Sequence, residues 1–214
     1  MQGRLITFEG IDGVGKSTQL QRVHQWLAAG DRGRSPVTTR EPGGTAIGQH
    51  LRKVLLDIRE DGEVLDDRAE LLLYAADRAQ HVAQVIRPAL AAGQWVLCDR
   101  FTDSTVAYQG FGRGLDMELV KQSIAMATQG LQPDLTLWFD VDPRVALERR
   151  QARSGTGAGD RLEASGMAFQ ERVRQGFQHL AKQFPERIVR LDASVEIETL
   201  FAQVQGVLEH RLKP

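Results

Sequence analysis

An apolar run, Leu5-Ile6-Thr7-Phe8, leads directly into Gly10-Ile11-Asp12-Gly13-Val14-Gly15-Lys16-Ser17, which fits the pattern G-x-x-x-x-G-K-[ST]. This pairing constrains the fold more than any other stretch, because the pattern works where a strand turns into a helix. Its glycines let backbone N–H groups curl around a phosphate chain, Lys16 brings a cation to the outer phosphates, and Ser17 offers a hydroxyl to Mg²⁺. The helix that follows aims its N-terminus at the same anion. Leu20, Val23 and Leu27 recur at i, i+3 and i+7, as one buried helix face requires. The expected nucleotide-binding set is Gly10, Ile11, Asp12, Gly13, Val14, Gly15, Lys16, Ser17 and Thr18.

Apolar segments return at 37–39, 95–98, 135–141 and 188–191, with helix-period stretches between them. One helix is expected over 46–56, with Ile47, Leu51, Val54 and Leu55 on one face. A long one is expected near 67–92, carrying Leu71, Leu72, Ala75, Ala79, Val82 and Ile86 and kinked or restarted at Pro88. Asp116 reads as the N-cap of 117–129 and Gly130 as its stop, while Asp142-Pro143 opens another helix. Phe169, Val173, Phe177 and Leu180 give 165–183 a core face, and Ile197, Leu200, Val204 and Leu208 do so for the last helix. Five short strands alternating with helices imply a mostly parallel sheet covered on both faces, with ligands beyond the carboxyl ends of the strands.

Nothing in the 214 residues marks a join between domains, so one domain over 1–214 is expected. With 27 basic and 28 acidic residues the formal charge is -1, which provides no general cationic field for a polynucleotide. The single cysteine, Cys98, falls in Trp95-Val96-Leu97-Cys98 and reads as a buried strand position, in keeping with a reducing cytoplasm. No stretch approaches the roughly 20 apolar residues of a membrane span, and the N-terminus lacks a signal-peptide core, so the mature chain is expected to start near Met1.

Chemistry should then follow each strand. The third strand ends in Asp99-Arg100-Phe101, an acid placed to hold Mg²⁺ and a guanidinium suited to a second phosphate, although a plain structural pair has the same spelling. After the second strand, Arg40-Glu41-Pro42-Gly43-Gly44-Thr45 is a tight turn with a cation at its lip. Tyr74 and Arg78 share a helix face, where they could stack on and hydrogen-bond a planar heterocycle or else be core and solvated charge. Ser104, Thr105, Tyr108 and Gln109 lie close enough to Arg100 to supply hydroxyl and amide groups to a sugar or base. Arg149, Arg150 and Arg153 precede the small-residue stretch Ser154 to Gly159 and Asp160-Arg161, the makings of a lid over 149–161 that closes positive charge onto a transferred group.

Taken in order along nearly the whole chain, these segments resemble the thymidylate kinase family. Phe8-Glu9-Gly10 with the phosphate loop, Thr39 to Gly44, the Tyr74 to Arg78 helix, Asp99-Arg100-Phe101, Ser104-Thr105, Ala107 to Gly110, Pro133 to Leu137, Asp160-Arg161 and Asp192-Ala193 carry the likeness. The loop alone is generic, whereas its combination with Arg-Glu-Pro-Gly-Gly and Asp-Arg-Phe is specific. The resemblance implies a P-loop nucleoside monophosphate kinase fold of class α/β, with a five-stranded parallel sheet in the order 2-3-1-4-5 and helices on both faces. It also implies ATP-dependent phosphorylation of dTMP to dTDP, with Mg²⁺, in a cytoplasmic homodimer.

Roles carried over by the resemblance place Lys16 and the loop backbone on the ATP phosphates, and Ser17 and Asp99 on Mg²⁺. Asp12 approaches the sugar 3′-hydroxyl of dTMP or the metal shell. Arg100, helped by Arg40, holds the acceptor phosphate, Tyr74 stacks on thymine, Arg78 hydrogen-bonds it, and Ser104, Thr105 and Gln109 complete the pocket. Tyr108 crowds the sugar 2′ position. The loop has Gly13 and Val14 where some relatives carry an arginine, so catalytic charge is expected from the lid, first from Arg153 and second from Arg149. A P-loop kinase for another nucleoside monophosphate or small metabolite explains the loop and lid equally well, but gives no reason for the pattern of Tyr74, Arg78, Thr105 and Tyr108. A GTP switch needs an Asn-Lys-x-Asp motif, and this chain has no asparagine.

Overall fold

The computed structural model describes residues 3–29, 36–57, 64–154 and 165–211, except for the side chains of 153 and 154. Its centre is a parallel sheet of β1 (Arg4–Glu9), β2 (Val37–Arg40), β3 (Trp95–Asp99), β4 (Leu135–Asp140) and β5 (Ile188–Asp192), ordered β2-β3-β1-β4-β5. Successive strand residues face opposite sides. Ile6, Phe8 and Leu97 join one apolar cluster with α1 (Lys16–Ala29), α8 (Met167–Gln183) and α9 (Ile197–Arg211), while Leu5, Val96 and Cys98 join another with Val82, Ile86 and Phe101. Phe8 stacks on Phe139 at 5.9 Å and Trp138 on Phe177 at 6.2 Å, which locks β1 to β4 and β4 to α8. Parallel register sets Phe8, Arg40 and Asp99 in one row, so three strand ends reach the same edge. Cys98 is buried in this core, and burial first of all raises its thiol pKa well above the ordinary value.

Between the strands lie α2 (Ala46–Leu56), α3 (Asp67–His81), α4 (Arg87–Ala91), α5 (Thr102–Thr105), α6 (Met117–Thr128) and α7 (Pro143–Ser154). The expected long helix over 67–92 is interrupted by a π-helical turn at Val82–Ile86, in which Arg87 N–H reaches Val82 O. Pro88, which has no N–H to give, then sits in the first turn of α4, where none is needed. The stop of α6 comes one residue earlier than expected, since Gln129 already adopts a left-handed backbone with φ 50°. A helical stretch that the sequence pattern did not reveal runs from α5 into a second π-helical segment, Val106–Gly112.

Helix faces also differ from expectation. On α2, Gly48 and Leu55 are buried, whereas Ile47 and Val54 are 56% and 53% exposed. Leu72 of α3 and Ile197 of α9 are likewise exposed. Among the described residues no helix is long and apolar enough to cross a membrane.

The segment Val106–Gly112 packs along α8, and Gly176 is what lets the two approach: a Cβ there would lie 2.8 Å from the Ala107 Cα. Gly176→Ala is therefore expected to destabilise the fold by about 1–3 kcal/mol in urea unfolding. Gly206→Ala in α9, where a Cβ meets nothing within 4 Å, should instead stabilise by about 0.5–1 kcal/mol through helix propensity.

Candidate active site

The phosphate loop links β1 to α1 as its sequence requires. Gly13 has φ +93°, and a Cβ there would meet the Ala146 carbonyl oxygen of α7, so the loop both bends and approaches α7 closely. Lys16 is 5% exposed, and its Nζ donates to the carbonyls of Gly10 (3.0 Å) and Ile11 (2.9 Å). Burial and the Arg100 charge lower its ammonium pKa, and Asp12 opposes them. Ser17 Oγ donates to Asp99 Oδ2 at 2.9 Å, and Asp99 Oδ1 is buried without a hydrogen-bond partner among the described residues. An orphaned carboxylate oxygen beside a hydroxyl, at the mouth of a phosphate loop, fits Mg²⁺, which takes one or two protein oxygens and completes its shell from phosphates and water.

Arg100 is the hub of the site. It leaves β3 in a left-handed conformation, φ 68°, uncommon for a side chain of this size. Its Nη1 donates to Gly10 O (2.9 Å) and Ser104 Oγ (3.1 Å), and its Nη2 to Asp12 Oδ1 (2.8 Å) and the Tyr108 hydroxyl (3.1 Å). The guanidinium lies 4.9 Å from the centre of the Tyr108 ring. Burial alone would raise the Asp12 carboxyl, but Arg100 and then Lys16 hold it far below the usual range. Burial foremost raises the Tyr108 phenol, so it stays protonated.

Beneath Arg100 lies Glu9, fully buried, accepting from Phe101 N–H at 2.8 Å and from the Ser104 hydroxyl. Ser104 therefore braces Arg100 against Glu9 as well as lining the pocket.

A second cleft opens beside the phosphate loop, lined by Asp12, Tyr74, Arg78, Arg100, Thr105, Tyr108 and Gln109 among others. The chain thus brings together residues from the loop, α3 and the 99–109 region. Arg78 is 2% exposed, with Nε on Glu41 (2.7 Å), Nη1 on Thr105 Oγ1 (2.8 Å) and Nη2 on Phe101 O (3.0 Å). Among the described residues, two of its five N–H groups are left over. Glu41 also meets His81 Nδ1 at 2.9 Å, and His81 Nε2 meets Thr39 at 2.6 Å. Arg40 lines the phosphate cleft with Lys16, Ser17 and Asp99.

Arg52 of α2 was not foreseen: it lines both clefts and donates to Pro42 O at 3.0 Å. It shares the buried side of α2 with Gly48 and Leu55, a face that the apolar periodicity of 47, 51 and 54 obscures. Glu70 and His81, buried partners of the pocket residues, also carried no local signal, and Glu41 stood out only as part of its turn motif. Arg149 of α7 donates to the carbonyls of Ala193 (2.6 Å) and Ser194 (3.1 Å) after β5. The side chain of Arg153 and the stretch 155–164, including Asp160-Arg161, lie outside the described residues.

Burial, and then the Asp103 charge, raise the Glu9 carboxyl from 4.5 to about 8. The native chain therefore holds a proton on Glu9 through that window which the unfolded chain releases, so this group makes stability fall as pH rises across it. Urea unfolding at several pH values between 5 and 8 should show that decline in the parent and a flatter profile in Glu9→Gln, which keeps an acceptor for Phe101 N–H. Asp12 acts oppositely, and its contribution is lost only as pH falls below its ordinary value of 3.8.

Comparison with known proteins agrees with this geometry. The family model Thymidylate kinase matches residues 8–204. A thymidylate kinase of Acaryochloris marina is 50% identical over 227 aligned residues, covering 100% of this chain and 98% of that one. One of Nostoc punctiforme is 51% identical over 214, covering 100% and 99%. The crystal structure of thymidylate kinase from Ehrlichia chaffeensis superposes with a TM-score of 0.79 at 34% identity, over 97% of this chain and 100% of that one. A shared fold, half of the residues identical and a match running the length of the chain place this protein in the thymidylate kinase family.

Proposed function

We propose that this enzyme transfers the γ-phosphoryl group of ATP to dTMP, giving dTDP and ADP. The observation that carries the reading is the shared wall of the two clefts: Asp12 and Arg100 line both the phosphate cleft and the pocket beside it. A donor phosphate chain in one and a nucleoside monophosphate in the other would meet at those two side chains. The thymidylate kinase relatives supply the identity of the acceptor.

Phosphoryl transfer asks the protein mainly to align two anions and to offset the charge spread over the group in transit. Lys16 and the loop N–H groups hold the donor phosphates. Ser17 and Asp99 would hold Mg²⁺, which when bound neutralises phosphate charge. Arg100 and Arg40 hold the acceptor phosphate, with Arg52 beside them. Asp12 receives the sugar 3′-hydroxyl, Tyr108 closes on the 2′ position, Tyr74 stacks on the base, and Arg78, Thr105 and Gln109 bond its edge. Arg153, with Arg149 second, brings charge from the lid segment 149–161 to the transferred group. The side of α2, α3 and α6 that exposes Ile47, Val54, Leu72, Leu119 and Met126 serves as a homodimer face. The reading as one domain and a cytoplasmic location complete the proposal.

A coupled ADP-release assay with dTMP, dUMP, UMP, CMP, AMP and GMP should show dTMP as the preferred acceptor, and preference for any other would overturn the assignment. Arg153→Ala is expected to lower kcat by about 10³-fold while calorimetric affinity for dTMP stays near that of the parent. A variant turning over at the parental rate removes Arg153 from this role.

A further inference from the structure

Gln109 sits in the pocket with its amide orientation already decided. Its Nε2 donates to Glu70 Oε1 at 2.7 Å, and Glu70 is wholly buried on α3. The same carboxylate receives Arg113 Nε (3.3 Å) and Nη2 (3.1 Å), so both of its oxygens serve as acceptors toward cationic and amide donors. Arg113 is itself fixed, by Asp67 at 3.3 Å and by the Phe169 ring, whose centre is 4.8 Å from its guanidinium carbon. Turning Gln109 over would set its carbonyl oxygen against the Glu70 carboxylate and forfeit a charge-assisted hydrogen bond. The amide NH₂ is thus committed inward, and the carbonyl Oε1 is what Gln109 has to offer the cleft it lines.

We infer that Glu70 is a specificity-determining positioning residue: by fixing the flip of Gln109 it makes the base pocket present an acceptor, and so select a pyrimidine that carries a ring N–H. Thymine and uracil have a donor at N3 and an acceptor at O4, which answer Gln109 Oε1 and the spare Arg78 N–H groups. Cytosine reverses both, with a lone pair at N3 and an amine at C4, so both of its edge groups face a like partner. Sites that bury unmatched polar groups in this way discriminate far more sharply than apolar contacts do. The inference rests on the assignment of this cleft to the nucleoside monophosphate base.

Glu70→Gln tests it. The neutral amide offers one acceptor oxygen in place of two and an NH₂ that can itself donate to Gln109 Oε1, so Gln109 is no longer held with its own NH₂ inward and can rotate it into the pocket. With dTMP and 5-methyl-dCMP, which differ only along the pairing edge, the ratio of kcat/KM values should shrink by at least about tenfold. The change should fall mainly in KM for the nucleotide acceptor, with KM for ATP unmoved, and Glu70→Asp should retain more of the parental ratio. A folded Glu70→Gln protein with an unchanged ratio overturns the inference, because a purely structural role for Glu70 weakens both acceptors alike.

A second measurement needs no variant: acidification puts a proton on N3 of 5-methyl-dCMP, so its affinity for the parent enzyme, relative to dTMP at the same pH, should rise. No relative rise also overturns the inference. Failure of the parent enzyme to act on dTMP at all overturns the base-site reading itself, which separates the two failures.

Discussion

The guanidinium of Arg100 sits where the phosphate loop, the end of β3 and the helical wall of the second cleft converge. Four of its N–H groups are matched by Gly10, Ser104, Asp12 and Tyr108, so it joins the phosphate-loop cleft to the pocket beside it through one rigid cation. That arrangement requires the left-handed turn after Asp99, and the turn is held from below: Glu9 takes Phe101 N–H and the Ser104 hydroxyl, while Arg100 N–H bonds to Phe8 O. Backbone strain of this kind persists where the surroundings over-determine it, and here they do. Burial at this hub raises Glu9 and Tyr108, while for Asp12, which burial would also raise, the Arg100 and Lys16 charges prevail and hold the carboxyl low.

Around this hub, polar side chains in and near the pocket are held by buried charged partners. Arg78 has Glu41, Gln109 has the Glu70 and Arg113 pair, and at the far end of the sheet Asp103 has Arg187 through two contacts of 2.6 and 2.8 Å. Such pairs add little net stability, because desolvation cancels much of the attraction, yet removing one member strands the other at a large cost. Their effect on the pocket is geometric: each long or flippable side chain arrives with its spare donors or acceptors already aimed.

What the amino-acid sequence disclosed follows from how local each signal is. The phosphate loop, the five strands and the caps at Asp116 and Asp142 are specified by neighbours in sequence, and the structure places them within a residue or two. The helical stretch 102–112 escaped because Thr102, Asp103, Ser104 and Thr105 are poor helix formers whose polar groups are buried against other elements, and because the π-helical segment breaks the 3.6-residue period. On α2 the apolar residues split, Ile47 and Val54 exposed and Leu55 buried, so periodicity identified the helix without fixing its buried side, which hid Arg52. Glu70 and His81 gain meaning only from partners about 40 residues away, a distance no local pattern spans.

Cys98 lies in the middle of the core strand, with no exposed surface and a thiol pKa pushed well above its ordinary value. Since the thiolate is the reactive form, this sulfur is closed to maleimides and oxidants while the fold is intact. The natural chain is in effect a cysteine-free background. A single cysteine introduced on the exposed face of α2 would carry a fluorophore or spin label at one defined place, and loss of that selectivity would itself report unfolding of the sheet.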